Sequence, residues 1–324
     1  MRYLITGGSG FVGTHLISQL LNEDNESQIL NIDLVQSNIK DKRVQTIIAD
    51  IRNLDLIKLV DAHEQIHVCI HLAALCKEPG FDWDEYFETN YAGTKNVLNL
   101  CSHLNIKKVL FTSTMMVYRA GEERRNERSL TSPDTAYGIS KLLAEKELQK
   151  WAAGMSERYY CTLRPSVVFG KYEKGNFTRL YYALKGNRFA FVGRKSTVKS
   201  CVYVKDLCNA LIFFMENKKP RTYNFAFIQD YSIGQIVLVF KEVFNLKSYT
   251  PVIPIQILLP VARIFKIFDS IGIKNPIHPR RIQKLYYSTN IDSNSIINDG
   301  FVFTNDLHSA LLDWKHDCND NKIF

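Results

Sequence analysis

Short apolar runs alternate with longer helical patterns over the first half of the chain. The runs Arg2–Thr6, Gln28–Ile32, Val44–Ile48, His67–Leu72, Lys107–Ser113 and Tyr159–Arg164 read as strands. Residues 11–21, 53–62, 84–103 and 135–153, between them, carry helical patterns. Strands alternating with helices predict βαβ units and a parallel sheet. Right-handed crossovers then give a doubly wound α/β fold. After Arg164-Pro165 the pattern changes. A Lys- and Gly-containing loop, Gly170–Gly175, leads to a helix near 176–186 and a short strand near 189–192. A helix near 205–216 and a strand at Thr222–Ala226 look like a return to the sheet. Residues 230–324 read as mostly helical, interrupted by Pro251, Pro254, Pro260, Pro276 and Pro279. The expected organisation is therefore a doubly wound domain over 1–165, with a return segment near 200–228. A smaller, mostly helical lobe would comprise 166–199 and 229–324.

Composition narrows the class. With 324 residues, 46% hydrophobic and 23% charged, the chain can bury a sizeable core. The formal charge of +8 fits an anionic partner: a diphosphate, an acidic membrane surface or nucleic acid. The basic residues are scattered rather than gathered in one arm, so no nucleic-acid partner is expected. Seven cysteines without a C-x-x-C pair argue for free thiols in a reducing, cytoplasmic setting. No His pair stands at ligand spacing, so no metal is expected. The apolar run Tyr3–Ile5 stops at Thr6-Gly7-Gly8, and no window approaches ~18 apolar residues. Neither a signal peptide nor a spanning helix is expected.

The chemistry begins at Thr6-Gly7-Gly8-Ser9-Gly10-Phe11-Val12-Gly13, which follows the first strand and opens the first helix. Gly7 and Gly10 permit the tight turn, and the amides of Phe11 and Val12 lie at a helix N-terminus that suits a pyrophosphate. Gly13 lets the helix pack on the sheet. Gly-rich turns are common, but this strand–turn–helix context is the one a dinucleotide-binding Rossmann fold requires. Asp33 lies twenty residues beyond Gly13, at the end of the second strand. A carboxylate there hydrogen-bonds the adenosine ribose and repels a 2′-phosphate, which favours NAD over NADP. The bland alternative makes Asp33 a turn cap. Asp50-Ile51, after the third strand, falls at the adenine edge; the alternative is a cap for helix 53–62.

Tyr137-Gly138-Ile139-Ser140-Lys141 opens the helix after the fifth strand. Positions i and i+4 share a face. Free Tyr has a pKa of about 10, and one ammonium at ~4 Å supplies roughly 4 kcal/mol toward the phenolate at an effective dielectric of ~20. A Tyr-x-x-x-Lys spacing alone is common on solvated helices. The fifth strand adds Phe111-Thr112-Ser113-Thr114-Met115-Met116-Val117-Tyr118, ending at the carboxyl edge where such sheets bind ligands. There the Thr114 hydroxyl could hold a sugar oxygen.

Together these motifs resemble the extended short-chain dehydrogenases, in particular the NAD-dependent epimerase/dehydratase family. The resemblance runs from Met1 to about Trp314. Its markers include Asp33, Asp50-Ile51, His71-Leu72-Ala73-Ala74, Asn90-Tyr91-Ala92-Gly93-Thr94, Tyr137–Lys141 and Leu163-Arg164-Pro165. It implies Tyr137 as acid/base, Thr114 as its hydroxyl partner, and Lys141 as the residue on the ribose that tunes Tyr137. It also implies that Leu72, Ala73, Ala74 and Pro165 border the cofactor, and that Asn90 orders the site from behind the fourth strand. In the smaller lobe, Asn176 resembles the family's diphosphate-contacting Asn. Lys199 stands where the family has a phosphate-binding Arg, replacing a planar fork by a point charge. Arg119 departs from the family's Gly after Val-Tyr. A homodimer is expected on the same grounds.

The family's 4,6-dehydratases place an Asp-Glu pair after the strand-five Thr. This chain has Met115-Met116, without a carboxylate for that work. The expected reaction is C4 epimerisation of a diphosphate-linked sugar, such as a UDP-hexose or UDP-N-acetylhexosamine, for surface polysaccharide. The alternatives are a keto-sugar reductase and a non-catalytic dinucleotide sensor, which need not keep Thr114, Tyr137 and Lys141. The carrier is open between a nucleotide and a polyprenyl diphosphate at the inner face of the membrane. The apolar stretch Pro251–Ile273 and the neighbouring Arg280, Arg281 and Lys284 suggest the second. A core or dimer-contact helix is the bland reading of that stretch.

Overall fold

The computed structural model describes residues 1–60, 65–78, 80–216, 220–261 and 279–318, the side chains of 279–281 excepted. The strands are β1 (Arg2–Thr6), β2 (Gln28–Asp33), β3 (Val44–Ile48), β4 (Val68–His71), β5 (Lys108–Thr112), β6 (Gly121–Arg125) and β7 (Tyr159–Pro165). They continue as β8 (Val167–Phe169), β9 (Phe191–Val192), β10 (Cys201–Tyr203), β11 (Arg221–Phe225), β12 (Val252–Ile253) and β13 (Thr289–Ile291). Seven form one parallel sheet in the order β11-β7-β5-β4-β1-β2-β3. The order reverses between β1, paired with β2 through Thr6↔Ile32, and β4, paired with β1 through Thr6↔His71. A crevice opens at such a switch point, outside the carboxyl ends of the strands.

Helices α1 (Phe11–Glu23), α2 (Trp83–Tyr86), α3 (Gly93–His103), α4 (Ala136–Ala153), α5 (Asn176–Lys185), α6 (Val204–Phe213) and α7 (Ile233–Val243) follow in chain order. Leu16, Ile17 and Leu20 of α1 join Leu207 and Leu211 of α6 in one buried cluster with Tyr3 and Ile5. Val97 and Leu100 of α3 join Ala144 and Leu148 of α4 in a second, with Leu4, Cys69 and Val109. Successive strand side chains point to opposite faces, so each strand feeds both layers. Cys69 and Cys161 are buried free thiols within strands.

Two helical expectations need correction. The segment near 53–62 forms a 3₁₀ helix, Leu54–Leu59, capped by the Asn53 side chain on the Asp55 amide. It is therefore not capped by Asp50. The helix near 84–103 contains a π-helical turn, Phe87–Ala92, between α2 and α3. Such a widened turn redirects the side chains it carries. Here it carries Asn90. Outside the main sheet the chain also makes three two-stranded pairs the hydrophobic pattern does not resolve: β8 with β10, β9 with β12, and β6 with β13. The last joins the loop after β5 to residues 289–291.

Candidate active site

The Gly-rich turn is held by β2. The Gly7 amide donates to the Ile32 carbonyl at 2.9 Å, and the Gly8 amide to Asn31 Oδ1 at 2.9 Å. Gly7 has φ +75°, and a Cβ there would lie 2.6 Å from the Ala73 nitrogen. The turn and the loop after β4 thus touch backbone to backbone across the switch point. A Cβ on Gly13 would lie 2.5 Å from the Gly7 oxygen. Gly10 is the N-cap of α1 and supplies no side-chain cap, and the first turn of α1 carries no acidic residue. That leaves helix N-terminal amides, including those of Phe11 and Val12, facing the crevice, a setting that favours an anion. Asp33 serves the turn as well: its Oδ2 accepts the Ser9 amide at 2.9 Å and its Oδ1 the Val35 amide at 3.3 Å. Each carboxylate oxygen keeps a lone pair for another donor. Asp50 is less open. Its carboxylate receives the Arg52 amide at 2.9 Å and the guanidinium at 2.8 and 2.6 Å, and these bonds hold it below its usual range. Ile51 is buried, and its carbonyl accepts from Asn96 Nδ2.

Behind the crevice runs a directional chain of hydrogen bonds. The Thr94 hydroxyl donates to the Asn90 carbonyl at 2.6 Å, so it accepts from His71 Nε2 at 2.9 Å. His71 Nδ1, 2.6 Å from the Thr6 hydroxyl, must then be the acceptor. Burial first, and the Lys141 charge second, push His71 down to about 3, so it stays neutral. Asn90 Oδ1 takes the Leu75 amide at 2.8 Å, while its Nδ2 lies 3.0 Å from both the Leu75 carbonyl and the Ser140 hydroxyl. One side chain thereby ties the loop bearing Leu72, Ala73 and Ala74 to the helix bearing Tyr137. Thr94 and Ser140 lie inside the Asn90–Thr94 and Tyr137–Lys141 motifs, but only the packing shows what they bind.

Thr114 caps the short 3₁₀ turn Met115–Val117 by accepting the Met116 amide at 3.1 Å. The same hydroxyl favours the phenolate of Tyr137. Burial outweighs that effect and holds the phenol well above 10, with Cys76 and Tyr86 adding to the rise. Lys141 is 1% exposed, and its Nζ lies 4.0 Å from the Phe111 ring centroid. Burial lowers it to about 7, opposed by Glu145 one turn along α4 and by Cys76. Tyr137 and Lys141 are thus both dehydrated, and each resists the charge it needs to carry. Cys76, absent from the motif reading, belongs to the electrostatics of both.

The smaller lobe departs from expectation. Asn176 is exposed at the start of α5, whose N-cap is Gly175. Lys199 does not present an open ammonium. Its Nζ donates to the Lys284 carbonyl at 2.8 Å and the Tyr287 carbonyl at 2.6 Å, at the end of helix Pro279–Tyr286. Terminal carbonyls attract a cation. Burial first, and Lys284 second, lower Lys199 to about 8. In this structure the Lys199 ammonium thus caps that helix, and its contact with a diphosphate stays an expectation. The Arg281 side chain and residues 262–273 of the apolar stretch lie outside the described residues. Arg119 is exposed beside Tyr118.

Comparison with known proteins decides the family. The profile described as "NAD dependent epimerase/dehydratase family" matches residues 3–226. The chain belongs to this family. An N-acetyl-alpha-D-glucosaminyl-diphospho-ditrans,octacis-undecaprenol 4-epimerase of Escherichia coli O157:H7 is 28% identical over 312 residues, 95% of this chain and 92% of that protein. Two solved folds are similar. A UDP-glucuronic acid 4-epimerase from Bacillus cereus, in complex with UDP-glucuronic acid and NAD, superposes with TM-score 0.76 at 22% identity, covering 98% of each chain. A UDP-N-acetylglucosamine 4-epimerase from Methanobrevibacter ruminantium gives 0.77 at 20%, covering 97% of this chain and 96% of that one.

NAD is the cofactor of this epimerase/dehydratase enzyme, and the residues fit it. The turn that admits no Cβ at Gly7 or Gly13, the uncapped start of α1 and the Asp33 carboxylate form one continuous cradle. Asp33 sets a measurable preference. NAD is expected to bind at least about tenfold more tightly than NADP, since a carboxylate against a 2′-phosphate costs on the order of 1 kcal/mol or more near a protein surface. Titration calorimetry with both nucleotides checks this; equal or tighter binding of NADP would remove Asp33 from the role.

Proposed function

We propose that this enzyme inverts C4 of a hexose held on a diphosphate, with Thr114, Tyr137 and Lys141 as the reacting set. The carrying observation is Thr114 at the carboxyl end of β5: its hydroxyl favours the Tyr137 phenolate, and its turn abuts the start of α4, where a Cβ on Gly138 would lie 2.3 Å from the Met116 oxygen. Thr114 is followed by Met115 and Met116 where a dehydratase would need carboxylates. The nearby carboxylate on α4, Glu145, is bound by Arg164 and Ser113. Bound NAD supplies the reversible hydride acceptor that lets C4 pass through a ketone. Tyr137 takes the C4 hydroxyl proton, and Thr114 holds the same oxygen. The Lys141 ammonium favours the phenolate while Tyr137 waits without its proton. Tyr137 then returns that proton to the oxygen once the opposite face has been reduced. Its high affinity for a proton suits the first of these transfers and opposes the second. Residues 166–199 and 229–318 would form the lobe over the sugar and its carrier.

Nucleoside diphosphate and polyprenyl diphosphate carriers share the diphosphate and differ in the tail. One surface favours the lipid. A cleft of about 360 Å³ on the smaller lobe is lined by Phe191, Val237, Leu238 and Lys195 among others. Beside it Leu238, Tyr249 and Val252 are exposed, and no described residue of 251–261 is buried. The E. coli relative acts on an undecaprenyl diphosphate sugar. An apolar surface on a cationic protein suits peripheral contact with anionic lipid. Among the described residues, no helix is long and apolar enough to cross a membrane.

The test supplies purified protein and NAD with UDP-hexoses, UDP-N-acetylhexosamines and polyprenyl-diphosphate N-acetylhexosamines, the last in anionic or neutral vesicles at low and high salt. The C4 epimers are resolved by NMR while NADH absorbance is followed. Interconversion without net change at the NADH band is expected, with the lipid-linked sugar preferred and anionic vesicles favoured at low salt. Stoichiometric NADH consumption would instead make the enzyme a reductase. Turnover of UDP-sugars alone would leave the nucleotide-linked epimerase.

A further inference from the structure

Arg164 and Glu145 form a buried ion pair that no step above uses. The two side chains are 7% and 1% exposed. Arg164 Nε lies 2.9 Å from Glu145 Oε1, and Nη2 lies 2.6 Å from Oε2. The Ser113 hydroxyl donates to the same Glu145 Oε1. On its other side, Arg164 Nη1 donates to the Tyr118 hydroxyl at 2.6 Å, and that hydroxyl donates to Asn224 Oδ1 at 2.9 Å. The set therefore joins the ends of β5, β7 and β11 to α4. Burying such a pair is costly, and hydrophobic replacements are often as stable, so its presence here asks for a use beyond stability.

Its position supplies one. Glu145 lies one helical turn beyond Lys141, on the same face of α4. Lys141 lies over the Phe111 ring of β5, and the groups that act on its charge are His71 at the end of β4, Cys76 in the following loop and Glu145 of its own helix. His71 is neutral, and the Cys76 thiol, on an exposed residue, is raised and not lowered from its ordinary value, so it stays protonated at neutral pH. Glu145 is left as the negative charge. We propose that Glu145, clamped by Arg164 and Ser113, is a positioning residue that keeps the buried Lys141 ammonium charged during turnover. The clamp fixes the carboxylate where a free side chain would turn toward solvent or Lys141 itself. Because the clamp rests on Ser113, just past β5, and on Arg164 near the end of β7, the charge of Lys141 is set by the sheet edge and not by α4 alone. The inference rests on the reading of Tyr137 and Lys141 given above.

The sign of the test follows from the charge. Lys141 loses its proton near pH 7, and Glu145 opposes that loss. Removing the negative charge must move the loss to lower pH. In Glu145→Gln the alkaline limb of kcat/KM should move acidward by about one pH unit or more, the scale of a close opposite charge. The ratio of wild-type to variant activity should shrink as pH falls. Glu145→Asp should restore part of the limb. The double variant Glu145→Gln/Arg164→Gln also removes the guanidinium that the single variant would leave without its carboxylate, so it guards against misfolding of the single variant. It should melt near the wild-type temperature and still show the displaced limb. A limb at its wild-type position in either folded Gln variant would overturn the proposal and leave the pair a structural brace. Tyr137→Phe, assayed alongside, separates the two failures. If it stays active, the Tyr137–Lys141 reading is lost; if it is inactive while the limb stays put, only the role of Glu145 is.

Discussion

Replacing Tyr137 by Phe is expected to lower turnover by at least about 100-fold while leaving NAD affinity within a few fold, the scale of a positioned acid/base. The substitution removes one hydroxyl from a ring packed with Tyr86, Ala136 and their neighbours. The ring itself remains, so the packing should hold. The lost atom is the one on which the Thr114 hydroxyl acts. Thr114 keeps its cap on the Met116 amide in the variant, so the turn after β5 should not move. Single-turnover kinetics with calorimetry on the same preparation check the split. A large fall in NAD affinity would mean that Tyr137 acts by holding the cofactor. Turnover near that of the wild type would move the acid/base elsewhere.

Gly13→Val is expected to abolish measurable NAD binding, raising the dissociation constant by about 100-fold or more, and to lower the melting temperature. Its Cβ would meet the Gly7 oxygen and the Gly8 Cα at 2.5 Å, both backbone atoms. They cannot retreat freely, because the Gly7 and Gly8 amides are bound to Ile32 and Asn31. Overpacking costs about 1–3 kcal/mol where side chains yield, and rigid backbone yields less. Displacing the turn also misaims the α1 amides, and two charge-assisted bonds lost at ~1.5 kcal/mol each amount to about 100-fold. Gly121→Ala is the matched control, since its Cβ would meet nothing within 4 Å. Calorimetry and thermal melting decide the matter; NAD binding by Gly13→Val near the wild-type level would overturn the cradle assignment.

The sequence by itself determined the parallel sheet, because short apolar runs spaced by amphipathic helices allow few other arrangements. It also determined the local motifs. Gly7, Gly10 and Gly13 announce a turn with no room for Cβ, and Tyr137 and Lys141 must share a face once residues 135–153 are helical. Tertiary structure decided everything that depends on what surrounds a charge. Lys199 occupies the place of a phosphate-binding cation along the chain, yet its ammonium caps the helix ending near Tyr286. That helix arrives from 80 residues away, and no local pattern encodes the meeting. Asp50 precedes a helix but leaves its cap to Asn53 and binds Arg52 instead. Asn90 reaches Leu75 and Ser140 from a π turn, a backbone state that residue propensities do not mark. Lys141 and Tyr137 look like a cation lowering a phenol when read along the helix. In the fold, burial raises one and lowers the other. Spacing along a helix fixes which groups are near each other, whereas their charge depends on water excluded by strands and loops distant in sequence.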